Sequence, residues 1–294
     1  MRTISPRSYS RLALTALVFL CVIVLTGAAV RLTGSGLGCE DWPRCNEERF
    51  IDVSSTHGAI EQVNRLFTGL VALSVILAVL GAHRRLPRRP DLVRLAWGLV
   101  AGVVGQVVLG GIVVLTDLHP LANQGHFLLS MVLVTNATVL WVRASDEQRV
   151  HRSGQRSLSQ QLALVAFVLG CVALYTGTIV TGSGPHAGDE EARRFGFDIS
   201  HVARLHGISV VLFLVVLLAT IAVIRRARDE WKSMSGVLEA TMAIGVIQAA
   251  IGYTQYFNDI PSALVAIHIV GATAIMIALT RLVTQSNRVS VDVA

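Results

Sequence analysis

Eight separate runs of about 20 apolar residues constrain this chain more than any other feature, because a helix that long spans the hydrocarbon core of a bilayer. The runs fall roughly at 12–31, 60–82, 95–115, 123–142, 160–181, 203–224, 237–256 and 263–282 of a 294-residue chain. Lipid offers no hydrogen-bond partners, so each run is expected to be helical. Composition agrees. Charged residues make up 15% of the chain, against about a quarter in soluble domains, and the mean hydropathy is +0.61. The first run is itself long enough to span and is followed by others, which argues against a cleavable leader.

The basic residues set the expected orientation. Arg2, Arg7 and Arg11 precede the first run, and Arg84, Arg85, Arg88, Arg89 and Arg94 follow the second. Arg143, Arg149, Arg152 and Arg156 follow the fourth, while Arg225, Arg226, Arg228 and Lys232 follow the sixth. Arg281 and Arg288 come at or after the end of the eighth. With eight spans these 18 of the 25 basic residues share one side, which the positive-inside rule assigns to the cytoplasm with both termini. The basic balance is therefore topological and calls for no nucleic acid.

The chain also repeats. Asn64 and His206, His126 and His268, Gln106 and Gln248, Gly110 and Gly252, and Asp117 and Asp259 are each 142 residues apart. Thr33-Gly34-Ser35-Gly36 recurs as Thr181-Gly182-Ser183-Gly184. Two four-span halves, 1–145 and 146–294, are expected to form four-helix bundles related by a pseudo-two-fold axis along the membrane normal. The fold class is an all-α integral membrane protein.

Three histidines, His126, His206 and His268, lie near the outer starts of spans. Ionisable groups in spans are costly and mark function, and imidazole is a common axial ligand of heme iron. A lone histidine there reads as a wetted interfacial side chain. A pair at matched depth, echoed in the other half, points instead to His206 and His268 clamping a heme. The first half has Asn64 in place of the first of that pair. It also has Glu61 one turn earlier, where the second half has Ala203, and Arg65, where the second half has Gly207. One half thus reads as a closed two-histidine electron-transfer site, the other as a reactive site with a carboxylate and one imidazole. Glu61 can equally be a helix-start carboxylate paired with Arg65. His57, His119, His186 and His201 lie in or beside outer loops and are read as solvated, and His83 and His151 belong to the basic side. Cys39 and Cys45 share the first outer loop on the oxidising side, where a disulfide, a metal pair or two free thiols are the options. Trp42 between them is a natural interfacial anchor or heme-edge contact.

Val30-Arg-Leu-Thr-Gly-Ser-Gly-Leu-Gly-Cys39 and Asp41-Trp-Pro-Arg-Cys45 together resemble the first outer loop of heme A synthases, as do Gly110-Gly-Ile-Val-Val-Leu-Thr116 and His126-Phe-Leu-Leu-Ser-Met131. The resemblance covers nearly the whole chain. It implies oxidation of the C8 methyl of heme O to the formyl of heme A for terminal oxidases. It implies heme b between His206 and His268, and heme O as the substrate near His126, Asn64 and Arg65. It implies Glu61 as the catalytic acid or base. Of the options open to Cys39 and Cys45, a disulfide is the one expected from their place on the oxidising side. The resemblance directs attention to heme O synthase, an electron carrier or quinone, and a second copy of the chain as partners, besides membrane lipid. The family motif Glu-x-x-His-Arg appears here as Glu61-x-x-Asn64-Arg65, which leaves an iron at that site one histidine short. A quinone-linked heme b electron carrier is the alternative; it would leave heme O unchanged. A heme transporter predicts helix breaks at the bilayer centre, whereas the distinctive polar residues cluster near one surface.

Overall fold

A computed structural model describes residues 3–146 and 157–286, with the backbone alone of 150–151 and 288–289. Arg2, Arg149, Arg152 and Arg156 lie outside the described residues, as do the side chains of His151 and Arg288. Eight helices make up most of the described residues: α1 Pro6–Leu32, α2 Thr56–Arg84, α3 Pro90–Leu115, α4 Pro120–Ala144, α5 Leu158–Ser183, α6 Ile199–Ile224, α7 Arg228–Phe257 and α8 Ser262–Ser286. Each is long and apolar enough to cross a membrane. Among the described residues the remaining regular structure is a two-residue antiparallel ladder, Val150 opposite Val289 and His151 opposite Arg288, and an isolated parallel bridge between Ile4 and Arg85.

The helices start earlier than hydropathy alone predicts, because caps outside the apolar runs set their first turns. Ser55 accepts from the Gly58 N–H ahead of α2, and Asp198 accepts from Ser200 and His201 ahead of α6. Ser157 and Gln160 form a reciprocal capping box at α5. Such caps satisfy N–H groups that have no partner within the helix. The largest departure is α7, which begins at Arg228 rather than near 237. Its added turns bury Met234 while keeping charged residues outward, so they read as polar in sequence.

The outward faces are as apolar as the core. Leu66, Leu70, Leu73 and Leu77 of α2 are all exposed. A helix hydrophobic on every side belongs in lipid, and the chain is a multi-pass membrane protein. Inside, small residues let the backbones approach. Ala13 and Ala16 of α1, Ala78 of α2, Ala96 of α3 and Ala137 of α4 are fully buried.

Neighbour relations follow a regular scheme. Helices α1, α2, α3 and α4 close one ring of contacts, and α5, α6, α7 and α8 close another. Between the rings α4 packs on α8, α4 on α5, and α1 on α8. Exchanging the halves maps the α4–α8 contact onto itself and the other two onto each other. The turns repeat as well. Asp117 and Leu118, between α3 and α4, have φ of 51° and 58°, and Asp259 and Ile260, between α7 and α8, have 56° and 54°. Non-glycine residues seldom adopt this left-handed conformation, so the 142-residue spacing extends to unusual backbone geometry. Across the halves, the Gly36 N–H donates to the Gly188 carbonyl at 2.9 Å, and Gln124 donates to Thr178 Oγ1 at 2.8 Å.

Candidate functional site

A cavity of about 1170 Å³ opens beneath the loops joining α1 to α2 and α5 to α6, and Glu61, Asn64, His126, His206 and His268 all line it. The volume exceeds the roughly 300–1,000 Å³ of usual small-molecule pockets. It suits a large ligand, or two.

His206 and His268 come together. They project from α6 and α8 with ring centres 6.4 Å apart and planes at 84°. A first-row metal bound on both sides by imidazole nitrogens at about 2 Å places the ring centres roughly 6 Å apart, so the spacing of the pair suits such a metal between them. Nδ1–H of His206 donates to the Ala173 carbonyl at 2.9 Å, with Thr176 Oγ1 at 3.2 Å. A carbonyl acceptor fixes the proton on Nδ1 and leaves the Nε2 lone pair for a ligand, the usual arrangement for a metal-binding histidine. Sequence reading missed Thr176 and Ala173, since a backbone acceptor leaves no signature.

Glycines cradle all three imidazoles. A Cβ on Gly177 would stand 3.1 Å from His206 Cε1, on Gly252 3.6 Å from His268 Cε1, and on Gly110 3.5 Å from His126 Cε1. The last two are the repeat partners noted in the sequence. If the pair clamps a heme as expected from the sequence, Gly177→Val should push the His206 ring aside and remove six-coordinate heme absorbance. Gly252→Ala, with an ordinary contact distance, is expected to retain it. Optical spectra of the two purified variants check this contrast.

No second imidazole faces His126 among the described residues. Its backbone carbonyl accepts from Gln106 Nε2 at 3.0 Å, and Gln106 also reaches Ser130 at 2.8 Å. The Nδ1 atoms of His126 and His268 are buried with no hydrogen-bond partner among the described residues. Asn64 Oδ1 accepts from Thr26 Oγ1 at 2.7 Å.

Glu61 is 5% exposed and fully engaged. Arg65 approaches its Oε1 through Nε at 2.9 Å and Nη2 at 2.6 Å, while the Cys39 N–H donates to Oε2 at 2.7 Å. Arg65 also holds the carbonyls of Asp41 and Arg44. The ion pair anticipated from sequence therefore exists, and it ties the first outer loop onto α2. Cys39 and Cys45 form a disulfide that closes this loop. Gly38 lies so close to the His57 carbonyl that no side chain would fit. Trp42 lies on Gly111, whose Cβ would come within 2.9 Å of the indole, and lines the cavity.

Closing a six-residue separation confers about 2 kcal/mol on the chain-entropy account. Cys39→Ser with Cys45→Ser is thus expected to lower the thermal midpoint of the purified protein, and an unchanged midpoint would count against the staple.

Three of the outer histidines are less free than the sequence implies: His119 caps α4, its Nδ1 accepting from the Leu121 N–H at 3.3 Å. His186 is half-buried and its Nε2 meets the Ile260 carbonyl at 2.7 Å. His57 is exposed, yet its Nδ1 bonds Ser35 Oγ at 2.9 Å.

Among the described residues no three His, Cys, Asp or Glu side chains converge as a bare metal ion would require. A two-imidazole site suits a metal that brings its own equatorial ligands. The facing imidazoles, the glycine cradles and the cavity volume fit a flat macrocycle. Fold and site thus define a multi-pass membrane protein whose histidines converge on one large cavity near the loop-bearing end.

The chain belongs to the COX15-CtaA family of cytochrome oxidase assembly proteins, whose sequence model matches residues 10–57 and 50–188. It is similar to a heme A synthase of Lysinibacillus sphaericus, 25% identical over 57% of this chain and 56% of that protein. It is also similar to heme A synthases of Shouchella clausii, 29% identical over 59% of each chain, and of Alkalihalophilus pseudofirmus, 28% identical over 55% and 56%. The chain spans between half and two thirds of the length of these relatives.

Proposed function

We propose that the protein is a heme A synthase, an oxidoreductase that converts the C8 methyl of heme O into the formyl of heme A. The observation that carries this reading is the asymmetry of a single cavity, with two facing imidazoles in one half and one imidazole beside an ion-paired carboxylate in the other. The repeated neighbour scheme and turns support two four-helix bundles, 1–145 and 146–294, related by a pseudo-two-fold axis. The distribution of basic residues supports a cell-membrane protein with both termini cytoplasmic.

His206 and His268 hold heme b, whose iron supplies one-electron redox chemistry when bound. His126 holds the substrate heme from one face, and Asn64 occupies the place where a second histidine would close the other. Converting a methyl to a formyl with oxygen drawn from water releases four electrons and four protons (R–CH3 + H2O → R–CHO + 4H+ + 4e−). With molecular oxygen instead, water is the second product (R–CH3 + O2 → R–CHO + H2O). Either route passes through a gem-diol that loses water, and each needs a group that exchanges protons beside the methyl. Glu61 is that group. Arg65 fixes its orientation through two donors to one oxygen, a rigid charge-assisted geometry, and the Cys39 N–H steadies the other. Trp42 and the disulfide loop exclude bulk water. Heme O synthase as the supplier and a quinone or electron carrier as the electron acceptor fit this chemistry.

Asn64→His is expected to convert the substrate-side heme to a second low-spin, two-imidazole species. Optical titration with heme O checks this, and an unchanged spectrum would detach Asn64 from the site. Co-expression with a source of heme O tests the function itself. Heme A in the extracted pigment is expected. Unaltered heme O would favour the electron-carrier reading.

A further inference from the structure

One charged wall of the cavity has no part in the chemistry above. Arg31, near the end of α1, is half-buried and lines the cavity. Its Nε donates to the His186 carbonyl at 2.6 Å and its Nη2 to the Thr181 carbonyl at 3.0 Å. Both acceptors are neutral backbone groups in the other half of the chain.

Arg194 treats the same loop in the same way, donating to the carbonyls of Gly184 at 2.9 Å, Pro185 at 3.0 Å and Ala192. Successive carbonyls at 184, 185 and 186 are thereby held by two guanidinium groups. Asp189, Glu190 and Glu191 belong to this loop, yet among the described residues no carboxylate forms an ion pair with either arginine. Guanidinium carries five N–H donors, and Arg31 commits two. A cation withdrawn from water is costly unless an anion accompanies it. Arg65 is the opposite case, its charge matched by Glu61 and its remaining donors on Asp41 and Arg44.

The depth of Arg31 indicates which anion. Thr181 lies one helical turn along α5 from Gly177, the residue packed against His206. A turn is about 5.4 Å, comparable to the distance from a porphyrin iron to its carboxylate-bearing edge. We propose that Arg31 is a propionate-binding residue for the tetrapyrrole held by His206 and His268, with Arg194 adding positive potential behind the loop. A residue of the first half thus completes the site of the second. His186 connects this contact to the Ile260 turn that precedes the His268 helix. The inference rests on the two-imidazole reading of His206 and His268.

The test compares iron protoporphyrin IX with its dimethyl ester, which lacks the carboxylates. Each is titrated into heme-depleted full-length protein and followed by the low-spin spectrum. Wild-type protein is expected to prefer the free acid. Arg31→Gln is expected to cut that preference by on the order of tenfold without changing the spectrum of bound heme, and Arg31→Lys to restore part of it. A wild-type preference in Arg31→Gln, or equal weakening of acid and ester, would overturn the assignment, the second outcome marking Arg31 as a structural tie alone. Wild-type protein that gives no low-spin spectrum with either porphyrin would instead defeat the two-imidazole reading, and this assignment with it.

Discussion

Alanine at His268 is expected to strip the low-spin heme signal from the purified protein while leaving a folded, membrane-inserted chain. The expectation follows from geometry. His268 faces His206 with ring centres 6.4 Å apart, and His206 has its Nδ1–H committed to the Ala173 carbonyl. Removing His268 leaves one correctly oriented imidazole, so any heme retained changes from six-coordinate low-spin to five-coordinate or water-ligated. The fold should survive, because the side chain projects into a cavity and the helix around it packs through Gly271, Met276, Leu279 and Leu282. Membrane yield and detergent-solubilised elution profile provide the control. An unaltered low-spin spectrum in His268→Ala would show that these two rings do not share an iron.

Replacing Glu61 by glutamine is expected to have the second large effect, this time on turnover. Glutamine keeps the size and an acceptor for the Cys39 N–H, so the loop remains anchored. It cannot take up a proton, and loses the charge that Arg65 grips at 2.6 Å. Loss of a positioned acid–base group costs on the order of 10²–10⁴ in rate. Heme A production should fall by about that range, with both hemes still bound. Glu61→Ala separates the two roles further, because it also frees the loop. If Glu61→Gln produces heme A at the wild-type rate, the carboxylate is an anchor for the disulfide loop and the proton acceptor lies elsewhere.

Much of this was legible in the residues themselves. Span number followed from apolar run length, and the Gly110/Gly252 and Asp117/Asp259 pairs emerged from a single spacing of 142. Both pairs proved structural, as imidazole cradles and as left-handed turns. Glu61 and Arg65 were legible as a pair because they are one turn apart on one helix. What escaped notice depends on backbone partners or on contacts far apart in sequence. The Ala173 carbonyl that orients His206 could be any residue's. Arg31 reaches carbonyls 150 and 155 residues away, and neither acceptor has a side-chain signature. His186 was read as solvated because polar loops usually are, whereas here the loop folds inward around two arginines. The start of α7 was hidden because its first turns are amphipathic and lie beyond the apolar run.

Electron paramagnetic resonance of the oxidised protein, loaded with heme b and heme O, is the most direct test of two unlike porphyrin sites on one cavity. Imidazole planes close to perpendicular leave the iron orbitals nearly degenerate, so one heme is predicted to give a strongly anisotropic low-spin signal. The other, with a single imidazole, is predicted to give a separate signal lacking two-imidazole character. Two identical low-spin signals, or no heme signal from intact protein, would contradict the account.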